Sequence, residues 1–396
     1  MKILVLNSGS SSVKFQVFED DISFVSGLIE QIGEENSAIS IILRDEKVVD
    51  KQIEIKSHFD GLQIAANYLL ELGVVKDLNE FDGIGHRVVH GGEYFNKAML
   101  VTDDVIEKIE SLQPLAPLHN PAHLDGIRVT KKLNPLVPNV VVFDTAFHQS
   151  IPAHAYMYAL PYKFYEEDGV RKYGFHGTSH HFVAKVAARM LQKDINSLNA
   201  ITLHLGNGGS VTAIENGKSI DTSMGLTPLE GLIMGTRSGD LDPAILFYLS
   251  RKKGYDINEL DKILNKQSGL KGICGANDMR EIHSMAESGD KKAQLALDMF
   301  YYRIKKYIGS YSAILGRVDC IVFTGGIGEN DDIARLESCH NLENLGIKLN
   351  VEENALRKKV AREISSDDSL VKVFVIPTNE ELEIALQTQE VVKNSR

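Results

Sequence analysis

The chain has 396 residues, with 43 Lys and Arg against 54 Asp and Glu, a formal net charge of −11. That length accommodates two domains with separate cores. The acidic balance argues against a nucleic-acid or anionic-membrane partner, whose footprint is basic, so any anion site has to be assembled locally from Arg, Lys and backbone dipoles.

The chain opens on Ile3-Leu4-Val5-Leu6, an apolar run that reads as a buried strand. Asn7 to Ser12 follow with small and hydroxyl side chains and one Gly. Val13, Phe15 and Val17 then alternate with Lys14 and Gln16, the period of a half-buried strand. The unit is strand, polar turn, strand, with Lys14 on the face opposite Val13 and Phe15. It is not a Walker loop, which needs a second Gly before the Lys and a helix after it. The four-residue apolar run is too short for a signal-peptide core, and nothing in the chain approaches the ~18–20 apolar residues of a membrane span.

Further on, residues 40–43 and 48–50 read as short strands and residues 59–72 as a helix stopped by Gly73. Residues 82–92 form a strand-like run closed by Gly91-Gly92, and Thr102 caps a short helix. Pro114, Pro117 and Pro121 make residues 114–121 a rigid loop. Val140 to Phe143 is a buried strand ending in Asp144, and Pro152 marks the crossing into a second half.

That half opens with Tyr173-Gly174-Phe175-His176-Gly177-Thr178-Ser179 and a helix to about Leu191. Ile201 to Ile214 repeats strand, small polar turn, strand around Gly206-Asn207-Gly208-Gly209. A polar, Gly-rich loop covers 221–243, and a long amphipathic helix covers about 291–315, with Leu297, Phe300, Tyr301, Ile304, Ile308 and Tyr311 at helical spacing. Cys320 to Phe323 is a buried strand running into Thr324-Gly325-Gly326-Ile327-Gly328-Glu329-Asn330, after which Asp331 and Asp332 start a helix. A strand over 371–376 leads to Pro377-Thr378-Asn379-Glu380-Glu381 and a closing helix. Cys274, Cys320 and Cys339 form no C-x-x-C pair and read as reduced thiols of a cytoplasmic protein.

Two glycine turns in strand–turn–strand units about 200 residues apart, a third at the end of a buried strand and a strand-end Asp between them form a specific set. Their order resembles the sugar-kinase, heat-shock-ATPase and actin superfamily. That resemblance implies an α/β fold of two ribonuclease-H-like domains with the active site in the cleft between them. The expected domains are 1–147 plus 381–396 and 148–380, closing on binding.

Within that superfamily the motifs resemble the acetate kinase (acetokinase) family: Leu6 to Lys14, Gly85-His86-Arg87-Val88-Val89-His90-Gly91-Gly92, Leu115 to Pro121, Phe143 to His148, Tyr173 to His180, His204 to Gly208, Met234 to Asp240, Phe323 to Asn330 and Thr378 to Leu382. The resemblance runs over essentially the whole chain. It implies reversible transfer of the ATP γ-phosphoryl group to acetate, giving acetyl phosphate and ADP, with Mg²⁺, or Mn²⁺ in its place.

Arg87 and Arg237 suit a carboxylate and a transferring phosphoryl, because guanidinium forks match both geometries. By resemblance Asp144, His176 and Arg237 are catalytic, with His176 and Arg237 stabilising the transition state. Acetate is already ionised at neutral pH, so Asp144 is expected to orient Arg87 or hold metal-bound water rather than act as a base. His176 and His180 have the i, i+4 spacing of a helical metal pair, but Gly177-Thr178-Ser179 place His176 in the loop before the helix.

The resemblance also gives Val89, Leu118, Phe175 and Pro228 to the methyl pocket, with Arg87 on the substrate, and Asn7 and Glu380 to the metal. Lys14, Ser10, Ser12, His204, Leu205, Gly206, Asn207, Gly208, Asp278, Met279, Arg280, Gly326, Ile327, Gly328, Glu329 and Asn330 fall to ATP. As bare sequence, Asp278-Met279-Arg280 is no more than a solvated helix start. A homodimer follows from the family alone. The competing readings are a propionate or short-chain carboxylate kinase, a chaperone- or actin-like conformational ATPase, and a phosphoanhydride hydrolase.

Overall fold

A computed structural model describes residues 1–117 and 119–395. Two compact units emerge, Met1–Phe147 with the chain from Asn379 onward, and His148–Thr378.

The first unit contains β1 (Lys2–Ser8), β2 (Val13–Glu19), β3 (Ile22–Glu30), β4 (Ala38–Leu43), β5 (Glu46–Gln52), β6 (Gly83–Val88), β7 (Met99–Leu100) and β8 (Asn139–Phe143). They form one sheet in the order β5-β4-β3-β2-β1-β6-β8-β7, with β1 antiparallel to β2 and parallel to β6, which is parallel to β8. The run Ile3 to Leu6 is apolar throughout because both faces of its strand are covered. Leu4 and Leu6, with Val13, Phe15 and Val17 of β2, share a core with Leu62, Ala65 and Leu69 of the helix His58–Glu71. Ile3 and Val5, with Val140 and Val142, meet Ile384, Ala385 and Val392 of the closing helix Glu380–Ser395. Truncating such a residue to Ala costs ~2–5 kcal/mol.

The second unit holds β9 (Ala200–Leu205), β10 (Gly209–Glu215), β11 (Lys218–Thr222), β12 (Cys320–Thr324), β13 (Arg362–Glu363) and β14 (Lys372–Val375). Their order is β11-β10-β9-β12-β14-β13, with β9, β12 and β14 parallel. Its first five members repeat the order and directions of β3-β2-β1-β6-β8, so each unit has the ribonuclease-H-like α/β core. The helix Lys291–Leu315 lays Leu297, Phe300, Tyr301, Ile304, Ile308 and Tyr311 on the face formed by Ile201, Leu203, Leu205, Val211 and Ala213. That is the stripe the spacing predicts.

Two of the local departures from the sequence reading border the candidate site. The proline-rich loop gives way at Asn120 to a helix, Asn120–Leu133, with a Pro in its first turn, where a missing N–H costs nothing. Gly325–Asn330, expected as a turn, is itself a short helix. Gly325 enables it at φ +78°, and a Cβ there would sit 2.8 Å from the Leu205 carbonyl oxygen. The closing helix starts at Glu380, capped by Asn379, whose Oδ1 accepts from Leu382 N–H at 2.9 Å. No described helix is long and apolar enough to cross a membrane.

Candidate functional site

In the first unit, β1 and β2 pair Asn7 with Lys14 and Ser8 with Val13, and the turn closes through Gly9 N–H to the Ser12 carbonyl at 2.7 Å. Lys14 and Ser10 are exposed and Ser12 half-buried. His58, unmarked in the sequence, braces the turn with Nε2 at 2.7 Å from the Gly9 carbonyl oxygen.

Arg87, near the end of β6, donates from Nε to Asp144 Oδ1 at 3.1 Å and from Nη2 to Oδ2 at 2.6 Å. Nη1 reaches Asn7 Oδ1 at 3.4 Å. Asp144 follows β8 and is 1% exposed, whereas the Arg87 side chain keeps 23% of its surface. A guanidinium held flat by a bidentate carboxylate is preset for a second planar anion. The Asp144 pair holds Arg87 firmly protonated against its burial.

Glu380, at the start of the closing helix, belongs to the same corner. Burial pushes its carboxyl up, Arg87 pulls it down, and Asp144 and Glu381 push it up again. Glu380 Oε1 is sealed from solvent with no hydrogen-bond partner among the described residues. A buried carboxylate oxygen without a donor is costly unless a cation or donor arrives. With Asn7 Oδ1 beside Arg87, this donor set fits a hard divalent cation. Val89 is buried in this unit, and Leu118 lies outside the described residues.

In the second unit, His176 precedes the helix Gly177–Met190 in the left-handed region at φ +56°. A non-glycine residue held there stores ~1–3 kcal/mol. His176 Nδ1 lies 2.9 Å from Ser210 Oγ, and its ring stacks on His204 at 4.3 Å between centroids. His204 Nδ1 meets Ser179 Oγ at 2.8 Å, and that hydroxyl also meets Thr378 Oγ1 at 2.8 Å. His180 is fully buried, with Nδ1 2.7 Å from Thr202 Oγ1 and Nε2 2.7 Å from Ser210 Oγ. Both ring nitrogens are thus occupied by hydroxyls, and burial drives its pKa well down. His176 and His180 are therefore not a metal pair.

Arg237 is half-buried in the loop after β11, and its Nη1 donates to the Pro228 carbonyl at 2.6 Å. Gly208, in the turn between β9 and β10, lets it approach, since a Cβ there would lie 2.8 Å from Arg237 Nη2. Burial lowers the Arg237 pKa, yet a guanidinium stays charged. Phe175 is 4% exposed and Pro228 half-buried.

A cavity of about 590 Å³ in this unit is lined by Gly206, Asn207, Asp278, Met279, Arg280, Gly326, Ile327 and Asn330 from the expected nucleotide set, joined by His283 and Ser284. Asp278 caps the helix Met279–Glu287 and pairs with the exposed Arg280. Leu205 is instead in the core, and Gly328 is buried. The Glu329 carboxylate turns onto the backbone, accepting from Gly325 N–H at 3.0 Å and Thr378 N–H at 3.2 Å.

His180 entered the sequence reading only as a rejected metal partner and Ser179 only as part of a helix start, while Thr202 and Ser210 had no role in it. Their signal is period two. Thr202 and His204 alternate with Ile201, Leu203 and Leu205, and pair across the strands with Thr212 and Ser210. An otherwise apolar sheet thus carries a polar stripe that is buried at Thr202, Ser210 and Thr212.

A model of the acetokinase family matches residues 2–386. An acetate kinase from Campylobacter lari is 56% identical over 395 residues, covering 100% of both chains. Among solved structures, acetate kinase from Porphyromonas gingivalis superposes with a TM-score of 0.95 at 42% identity, over 99% of each chain. A propionate kinase from Francisella tularensis superposes with a TM-score of 0.91 at 46% identity, over 98% of this chain and 99% of that one.

Proposed function

The chain belongs to the acetokinase family, and from that premise we propose that it is an acetate kinase, moving the ATP γ-phosphoryl group reversibly to acetate by direct in-line transfer. The observation that carries this furthest is Arg87, flattened by its bidentate pair with the buried Asp144 beside Asn7. Phosphoryl transfer asks mostly for positioning and charge stabilisation. Arg87 receives the acetate carboxylate and Asp144 keeps its fork oriented. No base is needed, because the nucleophile is already an anion.

Arg237 and His176 take the charge that spreads over the phosphoryl oxygens, and Lys14 with the β1–β2 turn, including Ser10 and Ser12, meets the phosphates. The nucleotide's ribose and base enter the cavity at Asp278–Arg280 and Gly326–Asn330. Asn7 and Glu380 would hold Mg²⁺, which keeps several waters and supplies charge neutralisation at the β- and γ-phosphates. Closure around the substrates would exclude water and favour transfer over hydrolysis.

Val89, Phe175 and Pro228, with Leu118, receive the methyl group. One methylene is worth only ~1–3 kcal/mol, and a propionate kinase is among the similar structures. In an ATP-dependent hydroxylamine trap, acetate should therefore exceed propionate in kcat/KM by about 10–200-fold, with butyrate lower still. Equal rates would remove the pocket assignment, and ATP hydrolysis indifferent to carboxylate would favour the conformational-ATPase or hydrolase readings.

A cytoplasmic homodimer is part of the same proposal. The helices Ala244–Lys253 and Ile257–Lys266 bury none of their residues. They leave Phe247 62% and Ile257 81% exposed, an apolar face that a second copy would cover. Phe247→Asp should then shift the sedimenting species from dimer to monomer. A wild-type chain that sediments as a monomer at micromolar concentration would refute the assignment.

A further inference from the structure

One hydroxyl in the second unit touches two imidazoles. Ser210 Oγ is 2.9 Å from His176 Nδ1 and 2.7 Å from His180 Nε2, while His180 Nδ1 is 2.7 Å from Thr202 Oγ1. Ser210, His180 and Thr202 are each fully buried. A serine hydroxyl has one proton to give and two lone pairs, and the two imidazole nitrogens are the only acceptors that the buried Ser210 Oγ meets among the described residues, so it donates to one histidine and accepts from the other. The tautomers of His176 and His180 are therefore locked to one another.

We propose that Ser210 and His180 are positioning residues that hold His176 as the Nε2–H tautomer. Thr202 Oγ–H donates to His180 Nδ1, His180 Nε2–H donates to Ser210 Oγ, and Ser210 Oγ–H donates to His176 Nδ1. That leaves the His176 proton on Nε2 as a donor for the transferring phosphoryl group. The inference rests on the role given to His176 above. The reverse arrangement would put the proton on Nδ1 and leave a lone pair on Nε2, repelling the anion that His176 is assigned to stabilise.

His180 suits the first place in the chain because burial keeps it neutral, with one nitrogen a donor and the other an acceptor. The left-handed backbone at His176, at φ +56°, and its stacking on His204 hold the ring, and the proton's location sets which nitrogen donates. A tautomer set from behind is how an orienting partner serves catalysis elsewhere.

The test is to label histidine with ¹⁵N in the full-length protein and assign His176 through His176→Gln. The expected spectrum at neutral pH shows His176 protonated on Nε2 and bare at Nδ1, and Ser210→Ala mixes the two tautomers. Ser210→Ala should also lower kcat roughly tenfold to a hundredfold with KM for ATP and acetate nearly unchanged, a split that general loosening would not give. His180→Gln, whose amide can donate to Ser210 from nearly the same place, should recover most of the kcat that His180→Ala loses.

A His176 that is Nδ1–H or doubly protonated in the wild type would overturn the proposal, as would a tautomer unmoved by Ser210→Ala. These spectra are read without turnover. Full activity of His176→Ala would therefore count against the role of His176 itself, separately from the tautomer.

Discussion

Replacing Arg237 with alanine should lower kcat by about 10²–10³-fold, the cost of removing one preset donor from a transition-state oxyanion site. KM for acetate should change much less. The guanidinium is fixed before any ligand arrives, with one nitrogen on the Pro228 carbonyl at 2.6 Å and another where a Cβ on Gly208 would lie 2.8 Å from it. In the proposed role, its remaining donors meet the transferring phosphoryl as negative charge spreads over its oxygens.

Arg237→Lys should restore little, because an ammonium on a flexible stem cannot make two parallel bonds. Gly208→Ala gives an independent check. Its Cβ would sit 2.8 Å from Arg237 Nη2, so kcat should fall without any change in charge. Steady-state kinetics on the three variants decide the matter, and a kcat unchanged in Arg237→Ala would take the residue out of the chemistry.

The second large effect concerns the Arg87–Asp144 pair. Arg87→Ala removes the proposed substrate clamp and also leaves Asp144, 1% exposed, as a buried carboxylate without its bidentate donor. Breaking a buried pair from one side costs ~3–5 kcal/mol. Arg87 keeps 23% of its side-chain surface, so a loss toward the lower end of that range is expected in chemical denaturation. KM for acetate should rise steeply at the same time.

The double variant Arg87→Leu with Asp144→Leu should regain most of the stability and none of the activity. Asp144→Asn should behave differently again. It preserves the shape and one acceptor, so folding should be nearly normal while Arg87 loses its fixed fork and kcat drops. Wild-type turnover with an unaltered metal requirement in Asp144→Asn would refute the orienting role.

The parts of the fold that showed in the sequence are those whose signal is local. Ile3 to Leu6 and Cys320 to Phe323 are apolar because their strands are covered on both faces. The long helix announced itself by spacing, and residues 291–315 form it as expected. Less local features were hidden. The strand Ile22–Glu30 carries Ser23, Ser26 and Gly27, which mask its period. The helix Asn120–Leu133 follows two prolines and contains a third, and Pro121 reads as a breaker unless it is recognised as a first-turn residue.

Arg87, Asp144 and Asn7 were each visible as motif residues. That they share hydrogen bonds depends on β1, β6 and β8 lying side by side, which pairing alone decides. The His176–Ser210–His180 chain was less legible still. With Thr202 it joins a helix start to two strands, and it requires a non-glycine residue at positive φ, a conformation that few such residues adopt. Glu380 could be chosen over Glu381 only by motif. The structure adds that Glu380 Oε1 is buried without a hydrogen-bond partner among the described residues, and the proposed metal role rests on that.

The most direct test of phosphoryl transfer to a carboxylate is ³¹P NMR of the protein with ATP, Mg²⁺ and acetate carrying ¹⁸O in both carboxyl oxygens. The account predicts acetyl phosphate whose phosphorus shows the isotope shift of one ¹⁸O, formed only when acetate is present. Inorganic phosphate appearing at the same rate with and without acetate, and no ¹⁸O on phosphorus, would contradict it.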